Sequence, residues 1–160
     1  MKTNKLTLCA ILSSVAIILG YVESLFPVPI SIPGIKWGLA NIIILFALYC
    51  TDTKSAFLIM IVKVIASMLL FTSPSAFLYS ISGGMLSFFV MLILKKSNLH
   101  IVNVSVGGGI FHNIGQLIMA SVVMRTFSVF YYLPVLIISG ALGAVVNGIL
   151  SGIILKRIKR

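Results

Sequence analysis

The chain has 160 residues, of which 60% are hydrophobic and only 9% charged, and its formal net charge is +10. With a mean hydropathy of +1.21, against a soluble domain's about 25% charged residues, it reads as an integral membrane protein and not as a soluble enzyme. The basic excess does not signal nucleic acid, because the lysines and arginines gather at the ends of apolar runs, where topology signals and lipid-headgroup contacts belong.

A spanning helix needs about 20 residues. The apolar runs predict an all-α, six-helix membrane bundle at 6–25, 35–50, 55–71, 76–94, 101–124 and 133–155, forming a single domain over 1–160. In the first helix Cys9, Ser13, Ala16 and Gly20 share one face, which Ala10 and Ser14 widen. Small faces let helices approach closely in lipid, either inside the bundle or against a separate membrane subunit. Cys9 and Cys50 read as small packing residues and not as a disulfide or a metal site.

Residues 21–42, YVESLFPVPISIPGIKWGLANI, interrupt the apolar pattern with Glu23, three prolines (Pro27, Pro29, Pro33), Lys36 and the only tryptophan, Trp37. This composition predicts a shaped loop between the first two helices, closing over or lining a site. Further along, Asp52 or Thr53 is placed to cap the third helix. That helix carries Lys63 at mid-length. The fourth helix opens with small and polar residues, in which Gly83 and Gly84 permit a close approach and Tyr79 and Ser80 are candidates to line an outer cavity.

The fifth helix holds His112, Asn113 and Gln116 within five residues. His112 and Gln116 are four apart and share a face, and Asn113 and Gln116 are three apart. One polar residue in such a helix is usually interhelical glue; three together point to a lined cavity. In the sixth helix Gly140, Ala144, Gly148 and Gly152 recur every four residues, and Asn147, like Asn41 of the second helix, reads more as glue than as a ligand contact.

With the N-terminus placed in the cytoplasm, inside segments hold Lys2, Lys5, Lys54, Lys95, Lys96, Lys156, Arg157, Lys159 and Arg160, whereas outside segments hold Lys36 and Arg125. That asymmetry predicts both termini in the cytoplasm and the 21–42 loop outside. Ionisable groups inside a membrane are costly and are functional or paired. Glu23, Lys36, Asn41, Lys63, His112, Asn113 and Gln116 are therefore the candidate ligand-binding set. Lys36 and Lys63 would attract an anionic group; a snorkelling or carbonyl-paired Lys63 is the competing reading. No nucleotide-binding glycine–lysine loop, catalytic set or metal cluster is legible, so an ATP-driven role requires the ATPase on another chain.

Three segments carry a family resemblance: residues 21–42, SPSAFLYSISGG at 73–84, and FHNIGQL at 111–117. Together they resemble the Gx transporter family of small bacterial membrane proteins, also labelled component I of heptaprenyl diphosphate synthase. That family is in turn similar to the substrate-binding S components of energy-coupling-factor (ECF) importers. The resemblance implies a plasma-membrane protein with an outward-facing pocket for a small molecule, and a lid around Pro33, Gly34 and Lys36. It also implies a coupling face at Ala10 and Ser14 that docks on a transmembrane subunit working with two ATPases. Two further roles attach to the family: electron transfer with a bound flavin or quinone, and accessory work in isoprenoid synthesis. Prenyl synthases generally hold magnesium and diphosphate with aspartate-rich motifs. One aspartate and one glutamate cannot build that site, so the chain is not expected to be an enzyme by itself.

Overall fold

The structure, a computed structural model, describes residues 2–25 and 38–158, with side chains from Asn4 onward. Among these residues the regular structure is entirely helical: α1 (Lys2–Leu25), α2 (Leu39–Cys50), α3 (Thr53–Leu70), α4 (Pro74–Lys96), α5 (Ile101–Met124) and α6 (Leu133–Ile158), with a short 3-10 turn over Ser128–Tyr132 leading into α6. The expected helices are all present; α1 to α4 start at other residues than expected, and α5 and α6 start where expected. Ser73 Oγ accepts the Ala76 N–H (3.3 Å) and Pro74 takes the first helical position, so the turn expected before residue 76 is the cap of α4. Asp52 caps α3 by accepting the Ser55 N–H at 3.2 Å.

The second helix departs furthest from expectation. Gly38 precedes it with φ +74°, a left-handed conformation that ends any helical path backward; residues 35–37, expected inside this helix, lie outside the described residues. The 12 residues of α2 span about 18 Å, short of the roughly 30 Å hydrocarbon core. Five segments are long and apolar enough to cross a membrane, and α2 is a shorter apolar helix beside them. The expectation of six spans thus resolves into six helices, five of them of spanning length. No more than 28% of the most apolar window in any of these spans is buried inside the bundle. Residues such as Leu69 and Val122 stand exposed, an outer surface suited to lipid and not to water.

The packing forms a closed ring. α4 against α5 and α5 against α6 are the most extensive contacts; α2 meets α6, α3 meets α4, and α1 lies against α2 and α3. Glycine makes the tight crossings possible. A Cβ on Gly115 would stand 2.8 Å from Ser82 O and 2.9 Å from Gly83 Cα, and one on Gly109 would stand 2.6 Å from Gly140 O. The Gly140–Ala144–Gly148 stripe of α6 therefore faces α5 inside the bundle.

One end of the bundle is strongly basic. Lys5 pairs with Asp52 at 2.5 Å, which joins the start of α1 to the turn after α2. Lys95 at the end of α4 donates to Leu48 O and lies 5.0 Å from the centre of the Tyr49 ring. Helix direction adds Lys54, Lys96, Lys156 and Arg157 to this end, whereas Arg125 caps α5 at the far end. The half nearer the basic end is filled by an apolar core that includes Leu45, Phe46, Leu48, Ile59, Met60, Phe88 and Val104, with Cys9 and Cys50 packed against it and no disulfide between them.

Replacing Gly115 with valine should overpack the α4–α5 crossing and lower stability by about 1–3 kcal/mol. Gly152→Ala, whose new Cβ would meet only Ile101 Cγ2 at 3.4 Å, should be close to neutral. Thermal unfolding in detergent compares the two. The Lys5 ammonium, then Ser55, holds the Asp52 carboxyl well below the usual carboxylate range. Its contribution to stability is present above the ordinary carboxylate pKa of about 4 and is lost as pH falls toward the depressed one. Asp52→Asn should therefore flatten the fall in melting temperature between about pH 5 and about pH 2.

Candidate functional site

From the edge of the apolar core, through the middle of the bundle and toward the end opposite the basic one, the six helices line a polar cavity of about 60 Å³. Each helix contributes: Glu23 from α1, Asn41 from α2, Lys63 from α3, Ser80 and Ser87 from α4, Ser105, His112, Asn113 and Gln116 from α5, and Ser139 and Asn147 from α6, with Gly38 at the α2 cap. Six of the seven residues expected to bind ligand thus share one cavity. The seventh, Lys36, lies outside the described residues, as do Pro33 and Gly34 of the expected lid.

Helical geometry explains the convergence. On α5, Ser105, Gly108–Gly109, His112 and Gln116 follow one another at three- or four-residue steps and form one inward stripe. On α6, Ser139–Gly140, Gly143–Ala144 and Asn147 do the same. The polar side chains are anchored to the scaffold. Asn113 Nδ2 donates to Leu136 O at 2.6 Å, Ser105 Oγ to Ala144 O at 2.7 Å, and Ser139 Oγ to Leu136 O at 3.2 Å. Gln116 Nε2 meets His112 Nε2 at 3.2 Å.

Where α1, α2 and α6 meet at the cavity, Gly38 is a node. Its N–H donates to the buried Glu23 carboxylate at 2.5 Å, its carbonyl accepts Asn147 Nδ2 at 3.0 Å and the Asn41 N–H at 2.9 Å. Asn147 was expected mainly as glue; it serves as glue and lines the cavity as well. Lys63, ten residues into α3, passes Gly20, where an added Cβ would lie 3.7 Å from Lys63 Cε. A smaller adjoining space of about 30 Å³ is bounded by Gly20, Glu23, Lys63, Ser67 and Ser80. Tyr79 does not line the cavity, although its neighbour Ser80 does.

The first helix divides its small residues between two faces. Ser13 and Ala16 are buried, whereas Ala10 and Ser14 are exposed on the outside of the bundle, with Ser14 Oγ bonded to Ala10 O at 3.0 Å. Ala10 and Ser14 therefore do not widen the inward face, as the spacing suggested; they belong to a separate outward one. No group of three or more His, Cys, Asp or Glu side chains able to hold a metal occurs among the described residues.

Residues 12–154 match the family model described as heptaprenyl diphosphate synthase component I. The chain belongs to that family. No curated protein and no solved structure matches it. The match spans all six helices, and it therefore takes in every described residue that lines the cavity in this component I chain. Neither carboxylate stands near the other: Glu23 sits at the Gly38 node, and Asp52 is paired with Lys5 at the basic end.

Glu23→Gln keeps an acceptor for the Gly38 N–H and should remain near wild-type stability. Glu23→Ala should cost about 1.5–3 kcal/mol, the range for a hydrogen bond to a charged group. Hydrogen exchange at Gly38 reports the same difference locally: faster exchange in Glu23→Ala, little change in Glu23→Gln.

Proposed function

We propose that this protein is a membrane-embedded binding component of a transport system, taking a small molecule from the outer side in the manner of an ECF-type S component. The observation that carries this reading is the one-sided cavity. Polar groups from all six helices meet in a cavity that runs from the middle of the bundle, at Ser87, Ser105 and Asn147, toward the end away from the basic one, at Glu23 and Ser80, while apolar side chains such as Phe46, Leu48, Ile59 and Leu155 fill the basic end. In the plasma membrane of a bacterium the lysine-rich end would face the cytoplasm by the positive-inside rule, so the cavity would face outward. The Ala10–Ser14 face of α1 is exposed and suits a transmembrane coupling subunit, which would work with ATPases on other chains.

In this reading the chain is not a catalyst by itself. Its two carboxylates are both engaged in holding α1 to the ends of α2, at opposite ends of the bundle, and prenyl-transfer chemistry would need acidic residues clustered around a diphosphate.

The test is to purify the full chain in nanodiscs and to identify the small molecules released on denaturation. A water-soluble compound near one per chain, diminished in Lys63→Ala while that variant keeps its melting profile, is the expected outcome. A chain that carries no small molecule and instead co-purifies with a soluble prenyl synthase would overturn the transport reading.

A further inference from the structure

The proposed binding cavity has a hydrogen-bonding polarity, and that polarity specifies a class of ligand. A backbone carbonyl can only accept. Asn113 and Asn147 each direct Nδ2 to such a carbonyl, Leu136 O and Gly38 O, which fixes the orientation of both amides and leaves each Oδ1 without a hydrogen bond among the described residues. Ser105 and Ser139 likewise give their only hydroxyl proton to helix carbonyls and retain only lone pairs. Gln116 is 6% exposed, and its Oε1 is buried without a hydrogen-bond partner. An unmet buried acceptor costs about 1–3 kcal/mol, so this atom calls for a donor from water or ligand. Apart from His112, whose Nε2 accepts from the Gln116 amide and whose proton is therefore on Nδ1, the polar groups that α5 and α6 turn to the cavity are acceptors.

The two ionisable groups at the outer end, Glu23 and Lys63, carry opposite formal charges and do not give the cavity a net preference for an anion. The available volume of about 60 Å³ equals that of only a few waters, at about 10–15 Å³ each. It suits a group of a few heavy atoms and not a whole drug-sized ligand, which needs about 300 Å³ or more.

Resting on the reading of this cavity as a ligand site, we propose that it recognises a small planar nitrogen group rich in hydrogen-bond donors: an amidine, a guanidine or the amino edge of a heterocycle. Its N–H groups meet the oxygens of Asn113, Gln116 and Asn147. A carboxylate or phosphate, which has no donors at neutral pH, would set acceptor against acceptor along α5 and α6.

Three probes of nearly one shape test this: acetamidinium, acetamide and acetate. Each is titrated by saturation-transfer NMR into the dialysed full-length protein in nanodiscs, alongside Ser139→Met, which fills the cavity, and Gln116→Leu, which removes one acceptor. The expected result is binding of acetamidinium, or of acetamidinium and acetamide alike, at least about tenfold tighter than acetate. Binding should be lost in Ser139→Met and weakened about three- to tenfold in Gln116→Leu. Acetate binding more tightly than acetamidinium, and disappearing in Ser139→Met, would overturn the ligand class and leave the binding site standing. No binding by any probe, or equal binding to wild type and Ser139→Met, would overturn both, leaving a cavity that holds only structural water.

Discussion

In a bilayer a polar group has no bulk water to turn to, and the structure depends on how α5 meets that constraint. α5 carries Ser105, His112, Asn113 and Gln116 on one side, a cluster that would be expensive against lipid. Glycines at 109 and 115 let α6 and α4 come within backbone contact of it. Only at that separation can Asn113 reach Leu136 O, Ser105 reach Ala144 O, and Ser82 reach Gly115 O at 2.8 Å. The same closeness that satisfies the scaffold leaves the far sides of these amides and hydroxyls turned into a common space. The cavity is a by-product of satisfying side-chain donors with helix carbonyls, and its acceptor character follows from that.

The chain's two acidic residues act on a second constraint, the seating of α2. A 12-residue helix is marginal by its own backbone energetics and depends on tertiary contacts. Glu23 holds the Gly38 N–H at its start, and Asp52 joins the residues just past its end to Lys5 on α1. From the opposite side, Asn147 and Ser151 of α6 bond to Gly38 O and Ile42 O. α2 is thus fixed between α1 and α6, and in that position Asn41 and Leu45 complete the ring around the cavity.

Much of this was legible in the sequence because lipid exposure and helical spacing leave strong marks. Long apolar runs located the helices, and the rarity of ionisable groups singled out Glu23 and Lys63. Three polar residues within one and a half turns marked α5. Less visible were sites whose signal is a single small or hydroxyl residue. Ser105 and Ser139 look like ordinary tolerated serines until the neighbouring helix is in place. Asn147 looked like glue because nothing in its own helix shows that Gly38, 109 residues away, supplies the partner. Ala10 and Ser14 lie one position after Cys9 and Ser13, a rotation of about 100°, enough to carry them from the packed face to the outer one. Periodicity alone could not locate the boundary between those faces.

In the transport reading proposed above, the inward and outward small faces of α1 would connect the site to a coupling subunit. Gly20, on the inner side, makes room for the Lys63 stem beside the cavity, while Ser14 and Ala10 lie outside, nearer the basic end of the same helix. The Glu23 clamp on Gly38 sits at the other end of that helix. A rigid-body tilt of α1 would therefore alter the Glu23–Gly38 contact and the outer face together, without requiring any change inside α4, α5 or α6, whose glycine crossings leave little room to shift. Differential contact of this kind, made in one arrangement and lost in another, is what a ligand or a partner needs in order to bias a conformational equilibrium. α1 is the element of the bundle that meets both requirements.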